Sequence, residues 1–210
     1  MSMFNIEELI NRLKLKRQLF VSEADFQLEM AWVIKELYPN AKVRLEYTPR
    51  FNLDMHIDIL VIFEDKWIPI ELKYKTKGCS YNLNGDYYYL KNHGAKDVNC
   101  YLYLKDIQRI ETIKSNVSTF QEGYTVFLTN EQSYSKAPLK NNCIYKAFSL
   151  EDGIEKTGTL DWAPEASEGT KKHCEEPIVL KQNYKISWKE FSKLDNSSTG
   201  KFLYLVNKII

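Results

Sequence analysis

Cysteine is scarce in this sequence, and long apolar stretches are absent from it. The four cysteines among 210 residues form no C-x-x-C pair, so their spacing does not support a zinc site, and reduced thiols in a cytoplasm are expected. No run of about 18 apolar residues occurs, so the sequence predicts no membrane span. The first residues also lack the uninterrupted apolar segment of a signal peptide. We therefore expect a cytoplasmic protein without a membrane partner.

The sequence also lacks an excess of charge of either sign. It has 29 Lys and Arg residues against 28 Asp and Glu residues, a formal net charge of +1. This balance excludes a general attraction to nucleic acid, so any such contact would depend on local basic patches. Neither G-x-x-x-x-G-K-[ST] nor a G-x-G run occurs, which argues against helicase, ATPase and methyltransferase activities. Hydrophobic residues make up 44% of the chain and charged residues 27%, a composition typical of one globular domain.

The order of the predicted elements indicates an α/β fold. Helices are predicted within NIEELINRLKLK, within SEADFQLEMAWVIKELYPNA, where Ser22 is the N-cap, and within DVNCYLYLKDIQRIETIKS. Strands are predicted at KVRLEY, in a hairpin at residues 56–75, and at GYTVFLTN, CIYKAFSL, GIEKTGTLDW, PIVLKQNYKISW and KFLYLVNKII. Residues 75–97 read as a loop with short elements, and APEASEGTKKHCEEP as an exposed polar loop. We expect a mixed central β-sheet flanked by helices, with a β-rich C-terminal elaboration.

The hairpin HIDILVIFEDKWIPIELKYK, residues 56–75, carries charges where apolar residues would pack better. Side chains alternate along a strand, so Glu71 and Lys73 share one face. If the turn centres near Asp65, counting back places Asp58 opposite residue 72 or 73. The sequence therefore predicts that Asp58, Glu71 and Lys73 converge on one patch of a largely buried sheet.

These three charges have two interpretations. One is an internal salt bridge of Lys73 with Glu71 or Asp58. It leaves a surplus negative charge, which is costly to bury and favours protonation of a carboxylate. The other is a bound divalent cation, which would neutralise the surplus. Ligation by one or two carboxylates and water suits Mg²⁺.

Two apolar strands carry Asp58 and, after twelve intervening residues, Glu71-Leu72-Lys73. This pattern resembles the motif of the PD-(D/E)XK nuclease superfamily. The resemblance covers about residues 20–130 and includes the order helix, three strands, helix, strand. It implies a restriction-endonuclease-like core, with residues 131–210 as a β-rich extension of a single domain, 1–210. One departure is Ile57, which stands where the superfamily often has proline.

The resemblance also implies roles for these residues. Asp58, Glu71 and the backbone carbonyl of Leu72 would bind Mg²⁺, for which Mn²⁺ would substitute. Lys73 would orient or deprotonate the attacking water and neutralise charge developing on the phosphate. The reaction implied is metal-assisted hydrolysis of a phosphodiester.

Many members of this superfamily add a glutamate from the first helix of the core, and Glu23 and Glu29 are the candidates here. At about 100° per residue, Glu23 falls in the middle of the apolar face and Glu29 near its edge. We therefore favour Glu23 as a catalytic residue, with Gln27 beside it as a supporting residue. The alternative is that Glu23 only favours the helix dipole.

Basic and aromatic residues interleave after the hairpin, a pattern suited to phosphate contact and base stacking. The predicted nucleic-acid contacts are Lys75, Lys77, Lys91, Asn92, His93, Lys105 and Arg109. Tyr87, Tyr88 and Tyr89 lie among them, and the alternative is a solvated loop with core tyrosines. Lys105 and Arg109, on one helix face, would lie along a phosphate backbone or pair with surface acids.

Two further residues, His56 and Asp106, are expected near the site. His56 shares a face with Asp58 two residues later, and it is predicted to support the site. Asp106 is predicted to hold the loop KNHGAKD in place rather than to touch metal.

The resemblance thus implies a Mg²⁺-dependent DNA nuclease, and in particular an endonuclease, acting in restriction, defence or repair. The alternatives are a catalytically silent nuclease-fold protein that binds nucleic acid or protein, and a β-rich interaction module in residues 140–210. RNA is a second candidate substrate. A homodimer is the expected state if the protein cuts both strands of a duplex, because this needs two sites. The segment KFLYLVNKII would then pair as an edge strand, within the sheet or with a second subunit.

Overall fold

The computed structural model describes residues 4–139 and 143–210, and its first elements are helices α1 (Ile6–Lys16) and α2 (Glu23–Leu37). Both are capped by side chains: Asn5 accepts hydrogen bonds from the amides of Glu7 and Glu8, and Ser22 accepts one from Asp25. The predicted N-cap at Ser22 is therefore confirmed. Both helices bury apolar residues against one face of a sheet.

Ten strands and two further α-helices follow in the described residues. Their bounds are β1 (Lys42–Tyr47), β2 (Ile57–Phe63), β3 (Lys66–Lys75), β4 (Cys79–Leu83), β5 (Asp86–Leu90), α3 (Lys96–Asn116), β6 (Gly123–Thr129), β7 (Glu155–Leu160), α4 (Glu168–Lys171), β8 (Ile178–Lys185), β9 (Trp188–Lys193) and β10 (Lys201–Ile209). Within the described ranges, a six-stranded sheet has the order β1-β2-β3-β6-β10-β9. Only its β3–β6 pair is parallel, so the predicted mixed α/β sheet flanked by helices is confirmed.

The two faces of the sheet bury different sets of residues. Alternate residues of β3, namely Ile70, Leu72 and Tyr74, pack with α1 and α2. The opposite face is covered by α3 and by the β7–β8 pair, through a second apolar cluster that includes Leu104 and Ile107. Glu71 and Lys73 therefore face α3, because they alternate with the residues that face α2.

The hairpin turn centres between Glu64 and Asp65 rather than on Asp65. Glu64 and Asp65 both have positive φ, 44° and 67°, and the flanking residues Phe63 and Lys66 pair directly. A two-residue turn with two left-handed residues matches the twist of antiparallel strands. The ladder continues to Ile59–Ile70, so Asp58 follows opposite Glu71, and the predicted partner at residue 72 or 73 is wrong by one or two residues.

Several predictions for the other segments need correction. CIYKAFSL contains a 3-10 helix at Lys146–Phe148 rather than a strand, because Phe148 packs on Tyr101 and Trp162 instead of extending along a neighbouring strand. KFLYLVNKII joins the sheet as β10, but it is an interior strand between β6 and β9, so the predicted edge position is wrong. Residues 75–97 include the β4–β5 hairpin.

None of the helices in the described residues combines the length and the apolar character that a membrane crossing requires.

Candidate functional site

Charged side chains from β3 and α3 meet on the α3 face of the sheet. Glu71 is 2% exposed, and its Oε1 lies 3.2 Å from Arg109 Nη2. Arg109 Nη1 lies 3.3 Å from Asp106 Oδ1, and the other oxygen of Asp106 is 2.9 Å from Lys73 Nζ. The four residues therefore form one continuous chain of opposite charges.

Helix α3 contributes both Asp106 and Arg109 to this chain of charges. Asp106 and Arg109 are three residues apart, so they lie on one face of the helix. Asp106 is 4% exposed and stands among the buried residues Tyr103, Ile107 and Ile110. An acid within the buried stripe of a helix is the signal that singled out Glu23. The same signal indicates that Asp106 is buried, but not which strand it meets.

The predictions for Asp106 and Arg109 are therefore corrected. Asp106 does not hold the loop KNHGAKD; the Asn99 side chain does, by donating to the carbonyl of Gly94. Arg109 pairs with acids, as one alternative had it, but they are the buried Asp106 and Glu71 rather than surface acids. The guanidinium also donates to the backbone carbonyl of His56.

Asp58 lies at the end of the hairpin ladder, beside a small cleft. Its Oδ2 accepts a 2.6 Å hydrogen bond from the backbone amide of Leu72. The cleft has a volume of about 170 Å³ and is lined by Glu23, Ala24, Gln27, Glu46, Asp58 and Leu72. The structure thus brings Asp58, Leu72, Glu23 and Gln27 together, as the predicted site requires.

Glu23 rather than Glu29 lines the cleft, but Glu23 is not in the middle of a buried face, since its side chain is 41% exposed against 21% for Glu29. Glu23 Oε2 accepts from the backbone amide of Tyr74 at 2.7 Å and lies 3.3 Å from Lys75 Nζ. Glu29 instead lies near Lys16 and Arg17, each at 3.7 Å, and does not line the cleft. Glu23 therefore contacts the strand that carries Glu71 and Lys73.

Gln27 and Glu46 complete the wall of the cleft. Gln27 Nε2 donates to the backbone carbonyl of Asp58 at 2.8 Å and to Glu46 Oε1 at 2.6 Å. Glu46 has a φ of 50°, which is uncommon for a residue other than glycine, asparagine or aspartate. It falls between residues paired with Ile57 and Ile59, so it stands across from Asp58. The sequence analysis missed Glu46, because a solvent-facing acid in an alternating strand carries no distinguishing signal.

Burial and repulsion between neighbouring carboxylates raise the pKa values of Asp58 and Glu71. Burial raises the pKa of Asp58 to about 6, an effect that the Leu72 amide opposes and Asp106 reinforces. Burial, followed by the negative charges of Asp106 and Asp58, raises the pKa of Glu71 well above its ordinary value. Both carboxyl groups thus lie in surroundings that favour the neutral form or a nearby cation.

Lys73, in contrast to these carboxyl groups, is stabilised in its charged form. Burial alone would lower the pKa of Lys73, but the charge and hydrogen bond of Asp106 outweigh it, and the pKa is raised. Lys73 is therefore an ammonium at neutral pH. Its role is consequently to donate hydrogen bonds and to supply positive charge.

The donor set fits a hard divalent cation. Asp58 and Glu71 supply carboxylate oxygens, and Glu71 Oε1 has no hydrogen-bond partner within the part of the chain that the structure describes, since the guanidinium at 3.2 Å is not aligned for one. Among residues 4–139 and 143–210, no group of three His, Cys, Asp or Glu side chains is arranged to hold a metal ion. A metal here would thus rely on two carboxylates, the Leu72 carbonyl and water, as Mg²⁺ commonly does.

The predicted nucleic-acid contacts lie at the end of β3 and around the base of the β4–β5 hairpin. Lys77, Lys91, Asn92 and His93 are exposed there. His93 is fixed to the strand end: its amide donates to the Thr76 carbonyl, and its Nδ1 accepts from the Thr76 amide at 3.0 Å. Burial, followed by the charge of Lys75, lowers the pKa of His93.

The tyrosines of the same hairpin divide between two faces. Tyr87 and Tyr89 are 66% and 63% exposed, whereas Tyr88 is half-buried and packs with the core. The alternative of core tyrosines therefore holds for Tyr88 only. Lys105 lies half-buried on α3, one turn before Arg109.

His56 meets the site through its backbone rather than its ring. The ring is exposed, with Nδ1 3.0 Å from Thr48 Oγ1, while the His56 carbonyl accepts from Arg109. Its supporting role is thus confined, in this geometry, to anchoring Arg109.

No protein-family model matches this chain, and no curated protein matches it with significant sequence similarity. Its function is therefore argued from the site.

Proposed function

We propose that the protein is a Mg²⁺-dependent nuclease that hydrolyses phosphodiester bonds in DNA. The observation that carries the proposal is the buried Glu71, whose carboxylate lies against positive charge without an aligned hydrogen bond at Oε1, next to Asp58 and Lys73. Burying this many charged groups on one patch of a sheet is unfavourable for folding, so it is expected where chemistry requires it.

The arrangement of strands supports a relation to the PD-(D/E)XK superfamily. The elements α2, β1, β2, β3, α3 and β6 follow in the order that the sequence resemblance implies. The site lies where antiparallel β2 and β3 meet α2 and α3. A restriction-endonuclease-like core for residues 20–130 therefore stays part of this proposal, although β9 and β10, beyond residue 130, extend the same sheet.

Asp58, Glu71 and the Leu72 carbonyl would hold the cation. When bound, a divalent cation polarises the phosphoryl oxygen and lowers the pKa of a coordinated water. Lys73, kept protonated by Asp106, would orient the attacking water and stabilise the negative charge that grows on the phosphate. Glu23 would orient Lys75 and the end of β3 through its contacts with Lys75 and the Tyr74 amide.

The substrate would reach the site along the exposed basic and aromatic surface that follows β3. Lys77 and Lys91 would contact phosphates, and Tyr87 and Tyr89 present rings on which unpaired bases would stack. RNA is the second substrate to test, because the chemistry acts on the phosphate. We further propose a cytoplasmic role in restriction, defence or repair, and a homodimer for cutting both strands.

A catalytically silent nucleic-acid-binding or protein-binding module is the second candidate function. The internal pairs Lys73–Asp106 and Arg109–Glu71 favour it, since they already neutralise much of the buried charge. It predicts binding without cleavage and no dependence on a divalent cation.

An assay of cleavage separates the two functions. The wild type, Asp58→Asn and the pair Glu23→Gln and Glu29→Gln are incubated with plasmid, single-stranded DNA and RNA in Mg²⁺, Mn²⁺ or EDTA. We expect metal-dependent cleavage by the wild type, a loss of about 100-fold or more in Asp58→Asn, a smaller loss in Glu23→Gln, and wild-type rates in Glu29→Gln. Binding without cleavage under every condition would establish the silent module instead.

A further inference from the structure

Arg109 occupies the position of a counter-ion at Glu71. Its guanidinium donates hydrogen bonds to Asp106 Oδ1, at 3.3 Å, and to the His56 carbonyl, and it forms an ion pair with Glu71 Oε1 at 3.2 Å. The Arg109 side chain is 29% exposed, whereas that of Glu71 is 1% exposed. The arginine therefore spans the distance from the buried carboxylate to solvent.

A guanidinium and a divalent cation at the same carboxylate oxygen repel each other strongly at this depth of burial. We infer that Arg109 is an internal counter-ion of Glu71 that a divalent cation must displace, and that the displaced guanidinium, still paired with Asp106, binds a phosphate of the substrate. The inference rests on the proposed function, because it needs Glu71 to be a metal ligand.

Asp106 is the residue that makes this exchange feasible. It lies on the same helix as Arg109, three residues earlier, so the Asp106–Arg109 pair persists when Arg109 leaves Glu71. Its second oxygen holds Lys73 at 2.9 Å. Within the described residues, Lys73 forms an ion pair with Asp106 and none with Glu71, whereas Arg109 pairs with both.

The balance of charge indicates what the exchange would achieve. In the described part of the chain, Asp58, Glu71 and Asp106 supply three negative charges, and Lys73 and Arg109 supply two positive charges. The cluster thus carries a net charge of −1 when all five are ionised, from −3 and +2, and a divalent cation changes this to +1. A cluster with a net positive charge and a freed, planar guanidinium suits a phosphodiester anion.

Competition by Arg109 for Glu71 weakens the apparent affinity for the metal by a factor that can be calculated. If Arg109 occupies Glu71 for about nine-tenths of the time, the apparent dissociation constant for the metal is about tenfold above its intrinsic value. Removing the competitor would then tighten binding of the metal about tenfold. Removing the guanidinium would also slow cleavage, because a phosphate ligand is lost.

The test is a titration of Mn²⁺ into the wild type, Arg109→Gln and Lys105→Gln by calorimetry, followed by cleavage at saturating Mn²⁺. Lys105→Gln removes the same charge one turn earlier on α3 without a contact to Glu71, so it measures the effect of net charge alone. We expect Arg109→Gln to bind Mn²⁺ about tenfold more tightly and to cleave at least about tenfold more slowly. Lys105→Gln should keep an affinity for Mn²⁺ within about twofold of the wild type.

Opposite changes in affinity and rate identify displacement, because a merely structural arginine would weaken both. Equal Mn²⁺ affinity in the wild type and Arg109→Gln would overturn the inference and leave the proposed function standing. An absence of Mn²⁺ binding from the wild type and from Arg109→Gln would overturn both. Binding by Arg109→Gln alone would support the inference in its strongest form.

A second variant covers the case in which Arg109→Gln fails to fold in EDTA. Arg109→Lys keeps the charge but cannot bridge three acceptors as a planar fork does. Arg109→Lys should bind Mn²⁺ with an affinity between those of the wild type and Arg109→Gln. If Arg109→Gln is unfolded in EDTA, adding Mn²⁺ should restore the circular dichroism spectrum of its folded state. Wild-type Mn²⁺ affinity in Arg109→Lys, with no recovery of Arg109→Gln, would contradict the displacement.

Discussion

Two buried glutamates, Glu71 on β3 and Glu111 on α3, have the same side chain and nearly the same exposure, 2% and 3%. Glu111 receives the backbone amides of Lys181 and Gln182, at 3.0 and 3.1 Å, and the hydroxyl of Tyr184, at 2.8 Å. Glu71 receives charges instead: Arg109 stands at its Oε1 without forming an aligned hydrogen bond. Burial alone does not distinguish the two residues, but their partners do.

The difference separates a structural carboxylate from one suited to chemistry. Neutral donors satisfy Glu111 and fasten β8 to α3, so that site has no need of a ligand. At Glu71 the partner is the charged side chain of Arg109, on a face shared with Asp58 and Lys73. On the proposed function, Glu71 would accept a cation when Arg109 leaves it, whereas Glu111 stays bound to backbone amides.

The largest expected effect comes from the matched pair Glu71→Gln and Glu111→Gln. Glu71→Gln should lower cleavage at least about a thousandfold, because a metal ligand is lost, while stability changes little. Glu111→Gln should lower the free energy of unfolding by about 2 kcal/mol, because its amide group turns a donor towards backbone donors. Cleavage rates and urea unfolding of both variants check this. Loss of stability in Glu71→Gln with full activity would reverse the assignment.

A smaller effect is expected from Asp106→Asn. Lys73 and Arg109 lose their shared carboxylate, so we expect cleavage to fall about 10-fold to 100-fold. The control is Asp97→Asn, which changes an acid in the first turn of the same helix, outside the site. Rates measured at several pH values should show the loss for Asp106→Asn only. Equal losses for the two variants would indicate a general effect on α3.

The pH dependence of stability should sharpen the contrast. The pKa of Asp58 in the folded protein, about 6, lies above that of an unfolded aspartate, so the folded protein binds the proton more tightly. The resulting stabilisation is complete below pH about 4 and is lost as the pH rises through about 6, for a change of about 3 kcal/mol. The raised pKa of Glu71 acts in the same direction.

Thermal unfolding in EDTA between pH 4 and 7 measures this dependence. The wild type and Glu111→Gln should both lose stability as the pH rises, and Asp58→Asn should lose less. An identical pH dependence in Asp58→Asn and the wild type would show that Asp58 does not titrate in this window.

A separate effect, on binding of DNA rather than on cleavage, concerns the exposed tyrosines. Replacing Tyr87 and Tyr89 by alanine should weaken binding of single-stranded DNA by about 1–3 kcal/mol per stacked base, with little change in stability, because both rings are exposed. Trp32→Ala, which removes an exposed ring on the outer part of α2, is the control. Fluorescence anisotropy with a labelled oligonucleotide distinguishes them. Equal weakening by Trp32→Ala would show that the β4–β5 hairpin does not contact the DNA.

The sequence was sufficient for the features that depend on local pattern. Alternation in β2 and β3 predicted the shared face of Glu71 and Lys73, and the helical period favoured Glu23 over Glu29, which agrees with the contacts of Glu23 in the cleft beside Asp58 and at the Tyr74 amide. Both depend only on residues a few positions apart, whose directions follow from strand and helix geometry.

Features that depend on distant partners could not be predicted in this way. Asp106 and Arg109 enter the site because α3 crosses the sheet over β3, a packing that sequence spacing does not encode. The interior position of β10 depends on a strand pairing with β6 across more than 70 residues of chain. For CIYKAFSL, the apolar run fitted a strand, but aromatic packing of Phe148 gave a 3-10 helix.

The most direct measurement of the central claim is calorimetric titration of Mn²⁺ into the wild type, Glu71→Gln and Glu111→Gln at pH 7.5. The account predicts that the wild type and Glu111→Gln bind Mn²⁺ with similar affinity, and that Glu71→Gln loses binding. Equal Mn²⁺ binding by Glu71→Gln and the wild type, or binding lost only in Glu111→Gln, would contradict it.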